Sequence, residues 1–366
     1  MENIFDFADD LGPAKIVHIY DPKVQLKAVV AVDNVACGSS IGGIRMAPDV
    51  SATEAFRLAR AMTLKNAAAG LPHGGGKSVI FGDPKIAPSD KERLIRVFAR
   101  AIRDLVEYIP GPDMGTDERC MGWIKDEIGR AVGLPREIGG IPLDEIGATG
   151  FGLKVSVDAA RKFCNLELKG ARVVIQGFGS VGKHAARFLA EEGTKLIAAA
   201  DSSGTIVNPK GIDVKRLIAI KDSGKSVVDY SDGEKLAVDE IIDIECEIWI
   251  PAARPDVIRK DNVARLKTKL IPQGANIPFT PEAERILHEK GTLIVPDFIA
   301  NAGGVICASV EYHGGTQTQA FETIEEKIRV NTEEVLANAK KNGSLPRQAA
   351  VSLATERVKR AMIYRH

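Results

Sequence analysis

Residues 171–201 read ARVVIQGFGSVGKHAARFLAEEGTKLIAAAD, and the rest of the chain can be ordered around them. ARVVIQ is an apolar run of strand length, VGKHAARFLAEEG has helical spacing, and KLIAAAD is a second apolar run. Between the first strand and the helix lies Gly177-Phe178-Gly179-Ser180-Val181-Gly182, a G-x-G-x-x-G turn. Such a turn alone is weak evidence. Here the flanking strand and helix are present, and the second strand ends in Asp201, 19 residues past the last glycine. Gly177 permits the turn, Gly179 lets a pyrophosphate approach the backbone, and Gly182 lets helix and strand pack. The helix N-terminus then faces the phosphates. The bland alternative is a glycine-rich turn of an α/β fold that holds no ligand. Asp201 predicts NAD, because a carboxylate accepts from ribose hydroxyls and repels a 2′-phosphate. Residues 201–204 contain no Arg or Lys, but one acid at that turn does not exclude NADP, since distant basic residues can reach a phosphate.

Downstream, EIWIPAA, TKLIPQG and GTLIVPD read as further short strands with helical segments between them. Strands alternating with helices predict a parallel sheet covered on both faces. The last 45 residues read as two helices. Upstream, LPREIGGIPLDEIGATGFG (134–152) is rich in Gly and Pro and predicts the approach to a domain boundary. The fold class expected is α/β with two domains flanking a cleft. A substrate-binding domain of 1–147 would be completed by C-terminal helices at 326–366, and a Rossmann domain would span 148–325.

Within the first domain, VQLKAVVAVDNVA reads as a buried strand and CGSSIGGIRM as a glycine turn. Ser51-Ala52-Thr53-Glu54 has the pattern of a capping box at a helix start. Positions 55, 58, 59 and 62 form an apolar stripe whose edge Lys65 extends, which predicts a lysine facing the interior or a cleft. The three glycines of LPHGGGKS (71–78) read as a tight loop and SVIF as a strand. Residues 90–109 and 117–132 look helical. GGGKS is not a P-loop, because the pattern needs Gly at 71 and the chain has Leu71. What remains is Lys77 on a glycine segment, 12 residues after Lys65. Two lysines brought together and partly desolvated lower one another's pKa, which suits acid/base chemistry. For Lys65 a plain surface role is equally consistent. Asp113, Asn301 and His73 each have an ordinary explanation: an N-cap, a turn and a local hydrogen bond.

Lys+Arg and Asp+Glu are both 49, so the basic surplus of a nucleic-acid binder is absent, and no apolar run reaches the length of a transmembrane helix. MENIFDFADDLG lacks the basic and apolar regions of a signal peptide. Cys37, Cys120, Cys164, Cys246 and Cys307 are odd in number and never in a CxxC pair, which predicts a reducing, cytoplasmic setting without disulfides. No cluster of metal ligands is visible, and no metal is expected.

Taken together, GGIRMAP (42–48), the helix ending in Lys65, LPHGGGKS (71–78), GPDMGTDE (111–118), ATGFG (148–152), GFGSVG (177–182), QGANIP (273–278) and NAGGV (301–305) resemble the glutamate/leucine/phenylalanine/valine dehydrogenase family, in the family's order and over most of the chain. The resemblance implies a two-domain, nicotinamide-dependent enzyme that forms a homo-oligomer and acts on an amino acid as its small-molecule substrate. It implies that Lys65 binds the substrate α-carboxylate, that Lys77 is the catalytic lysine, and that Asp113 exchanges a proton with the amino group. Thr149, Ala252 and Asn276 would lie near the nicotinamide and its ribose, and Asn301 would line the substrate and nicotinamide site. The implied reaction is reversible oxidative deamination.

In the family's glutamate enzymes a lysine precedes GGxR and a serine follows NAGGVxx; here those positions are Ile41 and Ala308. With both polar anchors missing, the pocket predicts an apolar substrate such as leucine, valine, isoleucine or phenylalanine. Gly42, Gly111, Val305 and Ala308 would complete its walls. ATGFG, GPDMGT and QGANIP look more glutamate-like, so a glutamate dehydrogenase with an atypical pocket is the alternative. A catalytically silent NAD-binding regulator is the alternative from another class, and its signature would be loss of Lys77 or Asp113.

Overall fold

A computed structural model describes residues 8–365. Most of the acidic N-terminal stretch read above therefore lies outside the described residues. The chain forms two compact units. The first holds the described residues up to Pro142 together with Val305–Ala320 and the residues from Val351 on; the second holds Leu143–Gly304 and Phe321–Ala350. This differs from the expected division, which gave 326–366 to the first domain as one block and 305–325 to the second. The reasons are local. Glu311 accepts the backbone N–H groups of Leu134 and Ile141 at 3.1 and 2.7 Å, which ties its helix to the first unit. Phe321 stacks edge-on against Phe151 with centroids 4.8 Å apart, which ties the following helix to the second.

The first unit contains β1 (Lys15–Asp21), β2 (Leu26–Asn34), β3 (Ser40–Ala47), α1 (Ala52–Ala68), β4 (Gly74–Phe81), α2 (Pro88–Ala101), β5 (Tyr108–Pro112) and α3 (Glu118–Ile128). Its sheet has the order β1-β2-β4-β3-β5. β2 is antiparallel to β1 and β4, whereas β3 is parallel to β4 and β5. Because side chains alternate across a strand, the two faces of the sheet differ. Val30, Ile44, Met46 and Ile80 join Phe98, Met121 and Ile124 of α2 and α3 in one core. Val29, Ala31 and Val79 pack with Ala55 and Ala59 of α1 on the other face.

Two glycine segments depart from their reading. CGSSIGGIRM is not a turn but supplies β3, and Gly74–Gly76 is not a loop but opens β4. Their glycines serve close approach. A Cβ on Gly42 would stand 1.5 Å from the Gly76 carbonyl oxygen, and one on Gly75 would stand 2.1 Å from the Thr63 nitrogen of α1. The helices expected over 90–109 and 117–132 end at Ala101 and Ile128, and Tyr108–Pro112 is a strand. Ser51 caps α1 by accepting from Glu54 N–H at 3.1 Å.

The second unit opens with α4 (Leu143–Ile146) and α5 (Ala148–Ala160). Then come β6 (Arg172–Gln176), α6 (Ser180–Glu191), β7 (Lys195–Asp201), β8 (Gly204–Val207), α7 (Val214–Asp222), β9 (Glu234–Leu236), β10 (Ile248–Pro251), β11 (Leu270–Pro272), α8 (Pro281–Glu289), β12 (Leu293–Val295) and α9 (Asp297–Ala300). Helices α10 (Gly303–Tyr312), α11 (Gln317–Asn342) and α12 (Pro346–Met362) complete the chain. The sheet order is β12-β11-β10-β6-β7-β8-β9. From β12 to β7 it is parallel, as the alternating pattern predicts. β8 and β9 add an antiparallel edge that the sequence reading lacks. β8 follows β7 through a two-residue hairpin at Ser202-Ser203, and β9 is only three residues long, too short to show a period. All five cysteines are free thiols. Among the described residues no helix is long and apolar enough to cross a membrane, and no group of three or more His, Cys, Asp or Glu could hold a metal.

Candidate functional site

In the first unit, β4 carries Lys77 on the α1 face of the sheet, and β5 delivers Asp113 just past its end. The Lys77 ammonium bonds Asp113 Oδ2 directly. The Lys77 side chain is 6% exposed and that of Asp113 19%. Asp113 Oδ1 accepts from the Met114 N–H at 2.5 Å and from Arg45 Nε and Nη2, both at 3.3 Å. Arg45 Nη1 in turn donates to Glu54 Oε1 at 2.5 Å. Gly43 makes room for this arrangement, because a Cβ there would lie 2.8 Å from the Asp113 Cβ.

Burial pushes the Lys77 ammonium down from its ordinary value, against the pull of Asp113. For Asp113, burial pushes up, but Lys77, the Met114 N–H and Arg45 outweigh it and hold the carboxyl below the usual carboxylate range. Arg45 is a like charge that lowers Lys77, a part that the sequence reading gave to Lys65. Lys65 lies half-buried near the end of α1. Burial pushes His73 down to about 4, and its Nδ1 lies 3.1 Å from the Ser39 carbonyl oxygen, so it is a neutral, local hydrogen-bonding residue.

Ile41, Ile109, Val132 and Ala308 form one buried apolar cluster. Gly111 borders it, since a Cβ there would meet Val132 Cγ2 at 3.1 Å. Gly42 is buried in β3, and Val305 is half-buried near the start of α10. The expected wall residues Ile41 and Ala308 are thus brought together, and Ile109 and Val132 are additions that the sequence reading missed. Alternation along β5 places Ile109 two residues before Gly111 on the same face, a signal that was available.

In the second unit, Gly177–Gly182 joins β6 to α6 as expected. Gly177 has φ +100°, and a Cβ there would stand 2.7 Å from the Ala252 carbonyl carbon. Gly182 lies against its own turn, with the Gly177 carbonyl oxygen 2.1 Å from where its Cβ would be. A Cβ on Gly179 would meet nothing within 4 Å, and no side chain caps the helix that begins at Ser180. Open space above a glycine, facing the uncapped N–H groups of Ser180, Val181 and Gly182, fits a dinucleotide pyrophosphate. The Ser180 hydroxyl turns to the Asp144 carbonyl at 3.3 Å.

At the carboxyl end of the same sheet, Ala252 N–H donates to the Gln176 carbonyl at 2.7 Å, and Gly274 and Ala275 donate to the Pro251 carbonyl. Asn301 Nδ2 donates to Asn276 Oδ1 at 3.0 Å and to the Gly274 carbonyl at 3.2 Å. Thr149, in the first turn of α5, lies beside Gly304. Asn276, Asn301 and Ala252 are therefore drawn to one sheet edge. Asp297 holds the Asn276 loop by accepting from Ile277 N–H at 2.7 Å, and Arg347 pairs with Asp297 and Glu284.

Asp201 sits at the end of β7, where it was expected, but its carboxylate is occupied. Ser203 N–H and the Ser226 hydroxyl donate to Oδ1, both at 2.9 Å; Lys221 and the Val227 N–H donate to Oδ2 at 2.6 and 3.0 Å. A lysine from α7 thus reaches the acid whose own turn has none. Burial pushes the Asp201 carboxyl up, but Lys221 and the other donors hold it below its ordinary value.

Residues 139–366 match the model of the Glutamate/Leucine/Phenylalanine/Valine dehydrogenase family, and residues 13–130 match that of the Glu/Leu/Phe/Val dehydrogenase dimerisation domain. A glutamate dehydrogenase of Aeropyrum pernix is 41% identical over 353 residues, covering 90% of this chain and 84% of that one. An NADP-specific glutamate dehydrogenase of Saccharolobus shibatae is 37% identical over 352 residues, covering 90% and 82%. Among solved structures, the hetero-hexameric glutamate dehydrogenase of Thermus thermophilus in its Leu-bound form superposes with a TM-score of 0.85 at 30% identity, covering 97% of this chain and 90% of that one. With residues 13–130 and 139–366 both matched, the chain belongs to the glutamate/leucine/phenylalanine/valine dehydrogenase family.

Proposed function

We propose that this protein catalyses reversible oxidative deamination of an L-amino acid to the 2-oxo acid and ammonia, with Lys77 and Asp113 carrying the proton chemistry. The observation that carries this reading is the buried Lys77–Asp113 pair, an ammonium and a carboxylate in direct contact whose pKa values are both displaced. Lys77 activates water and stabilises charge as the imine is hydrolysed, and Asp113 passes the proton that releases ammonia. Lys65 binds the α-carboxylate. The nicotinamide, when bound, accepts the hydride from Cα. Gly177, Gly179 and the first turn of α6 hold the pyrophosphate, with Thr149, Ala252, Asn276 and Asn301 toward the nicotinamide and substrate. Both NAD and NADP are accepted, because Lys221 offsets the charge of Asp201. The protein works as a homo-oligomer in the cytoplasm.

Two observations pull apart on the substrate. The relatives named above are glutamate dehydrogenases, which puts glutamate ahead of the apolar amino acid expected from the sequence. The wall of Ile41, Ile109, Val132 and Ala308 favours an apolar side chain, because a γ-carboxylate against it finds no partner among those four. Kinship covers 90% of the chain, whereas specificity resides in contacts, so one measurement must separate the two. Formation of NADH and NADPH should be followed with glutamate, leucine, valine, isoleucine and phenylalanine at equal concentration. A higher kcat/KM for glutamate supports the first reading, and a higher value for an apolar amino acid the second. Failure of every amino acid to reduce either cofactor sinks the proposal.

A further inference from the structure

The two oxygens of Asp113 have different surroundings. Among the described residues, Oδ2 bonds the Lys77 ammonium, a group that itself exchanges protons. Oδ1 is enclosed by three donors: the Met114 N–H, and the Nε and Nη2 of Arg45. Arg45 is fixed at its other end by Glu54 of α1. It is half-buried in β3, two residues past Gly43, whose lack of a side chain lets Asp113 lie down on that strand.

We propose that Arg45, backed by Glu54, is a positioning residue that divides the Asp113 carboxylate, fixing Oδ1 as an acceptor and leaving Oδ2 as the one oxygen that exchanges the proton. This rests on the assignment of Lys77 and Asp113 as the proton-transfer pair. A free carboxylate rotates about χ2 and presents two equivalent oxygens. Two guanidinium N–H groups and a backbone N–H converging on Oδ1, with the Lys77 ammonium on Oδ2, oppose that rotation, because turning the carboxylate would break these bonds together. The proton taken from the amino group at Oδ2 is the one given back from Oδ2 to departing ammonia, so Asp113 ends each turnover ionised. Glu54 has a definite part. Without it the pocket would hold two cations against one carboxylate; with it the charges of Lys77, Arg45, Asp113 and Glu54 cancel. Tyr108 of β5 also faces Asp113; it is buried, with its hydroxyl donating to the Gly42 carbonyl at 2.8 Å.

The test compares Arg45→Gln, Arg45→Lys and Asp113→Asn in the whole chain. The Asp113 side-chain carboxyl is titrated by carbon-detected NMR, its resonance assigned by its loss in Asp113→Asn. Removing the guanidinium charge in Arg45→Gln should raise the midpoint by about one pH unit, and the acid limb of kcat/KM should move up with it. Arg45→Lys keeps the charge but not the fork. It should keep the midpoint and lose about tenfold or more in kcat at unchanged KM. A merely structural arginine would change thermal stability without moving the midpoint. An unmoved midpoint in folded Arg45→Gln overturns the proposal. If that variant does not fold, wild-type kcat in Arg45→Lys overturns it. Near-normal turnover by Asp113→Asn overturns instead the assignment on which the proposal rests.

Discussion

Lys77 and Asp113 lean on each other in opposite senses. Burial disfavours the Lys77 ammonium, and Asp113 pulls the other way. Asp113 sits below the ordinary carboxylate range because Lys77 is beside it. A carboxyl depressed in the folded state stabilises the fold above its unfolded value, and that contribution is lost as pH falls through the depressed one. Lys77→Ala therefore removes the main counter-charge, and Asp113 should titrate higher. Lys77→Ala and Asp113→Asn should each lower kcat by about 10²–10⁴-fold, the usual loss for an acid/base group. Cofactor binding, read by quenching of protein fluorescence, should remain. A near-normal kcat in either variant means that the roles are wrongly assigned. The buried cluster proposed as the side-chain wall gives a second residue-scale test. Ile41→Lys with Ala308→Ser adds a cation and a hydroxyl to an apolar wall. The ratio of glutamate to leucine kcat/KM should rise by about tenfold or more, which needs only ~1.4 kcal/mol of differential transition-state binding. An unchanged ratio shows that side-chain selection lies elsewhere than this wall.

At the scale of the element, the glycines separate folding from binding. Gly182 touches its own turn, so Gly182→Ala should lower the melting temperature. A Cβ on Gly179 would meet nothing within 4 Å, and its φ of −88° suits any residue. Gly179→Ala should therefore fold normally yet raise KM for the cofactor by about tenfold or more, because the new methyl would enter the space proposed for the pyrophosphate. A Gly179→Ala enzyme with unchanged KM would remove that turn from the nucleotide site. This contrast also shows what was legible in the sequence. The G-x-G-x-x-G turn was readable because its strand, turn and helix lie within a few residues, even though Gly177 also makes room for Ala252. Gly74–Gly76 was misread as a loop because its demand is remote, namely the approach of α1 and β3 to β4. Lys77 and Asp113 were nameable from the motifs around them. The Arg45–Glu54 support was not, because it joins a strand to a helix that follows, and no spacing rule links them to Asp113. The donors around Asp201 escaped for the same reason, since Lys221 and Ser226 return to it from 20 and 25 residues on. Lys221→Gln should lower kcat/KM with NADP relative to NAD by about tenfold, or ~1.4 kcal/mol. An unchanged ratio means that Lys221 serves Asp201 alone.

At the scale of the whole molecule, the open edge of the first unit's sheet points to more than one chain in the working enzyme. There, among the described residues, β1 ends the sheet, pairing with β2 on one side only. Its seven residues are all exposed or half-buried, and Tyr20 is 66% exposed. An open strand edge of this length offers unpaired backbone groups to another chain, and soluble proteins usually cover or blunt such edges. β1 carries no proline to blunt it. It lies in the segment that matches a dimerisation domain. The isologous pairing of two copies is the simplest way to cover an edge, since one surface then meets itself. Light scattering on the purified protein should therefore give a mass at a multiple of 39.3 kDa. The substitution Ile19→Pro, in the middle of β1, should shift the distribution toward smaller species, because proline removes a strand donor and disturbs the edge geometry. A wild-type protein that runs at the mass of one chain at micromolar concentration overturns the oligomer. An Ile19→Pro variant of unchanged mass, with the fold intact by circular dichroism, places the interface on a surface other than β1.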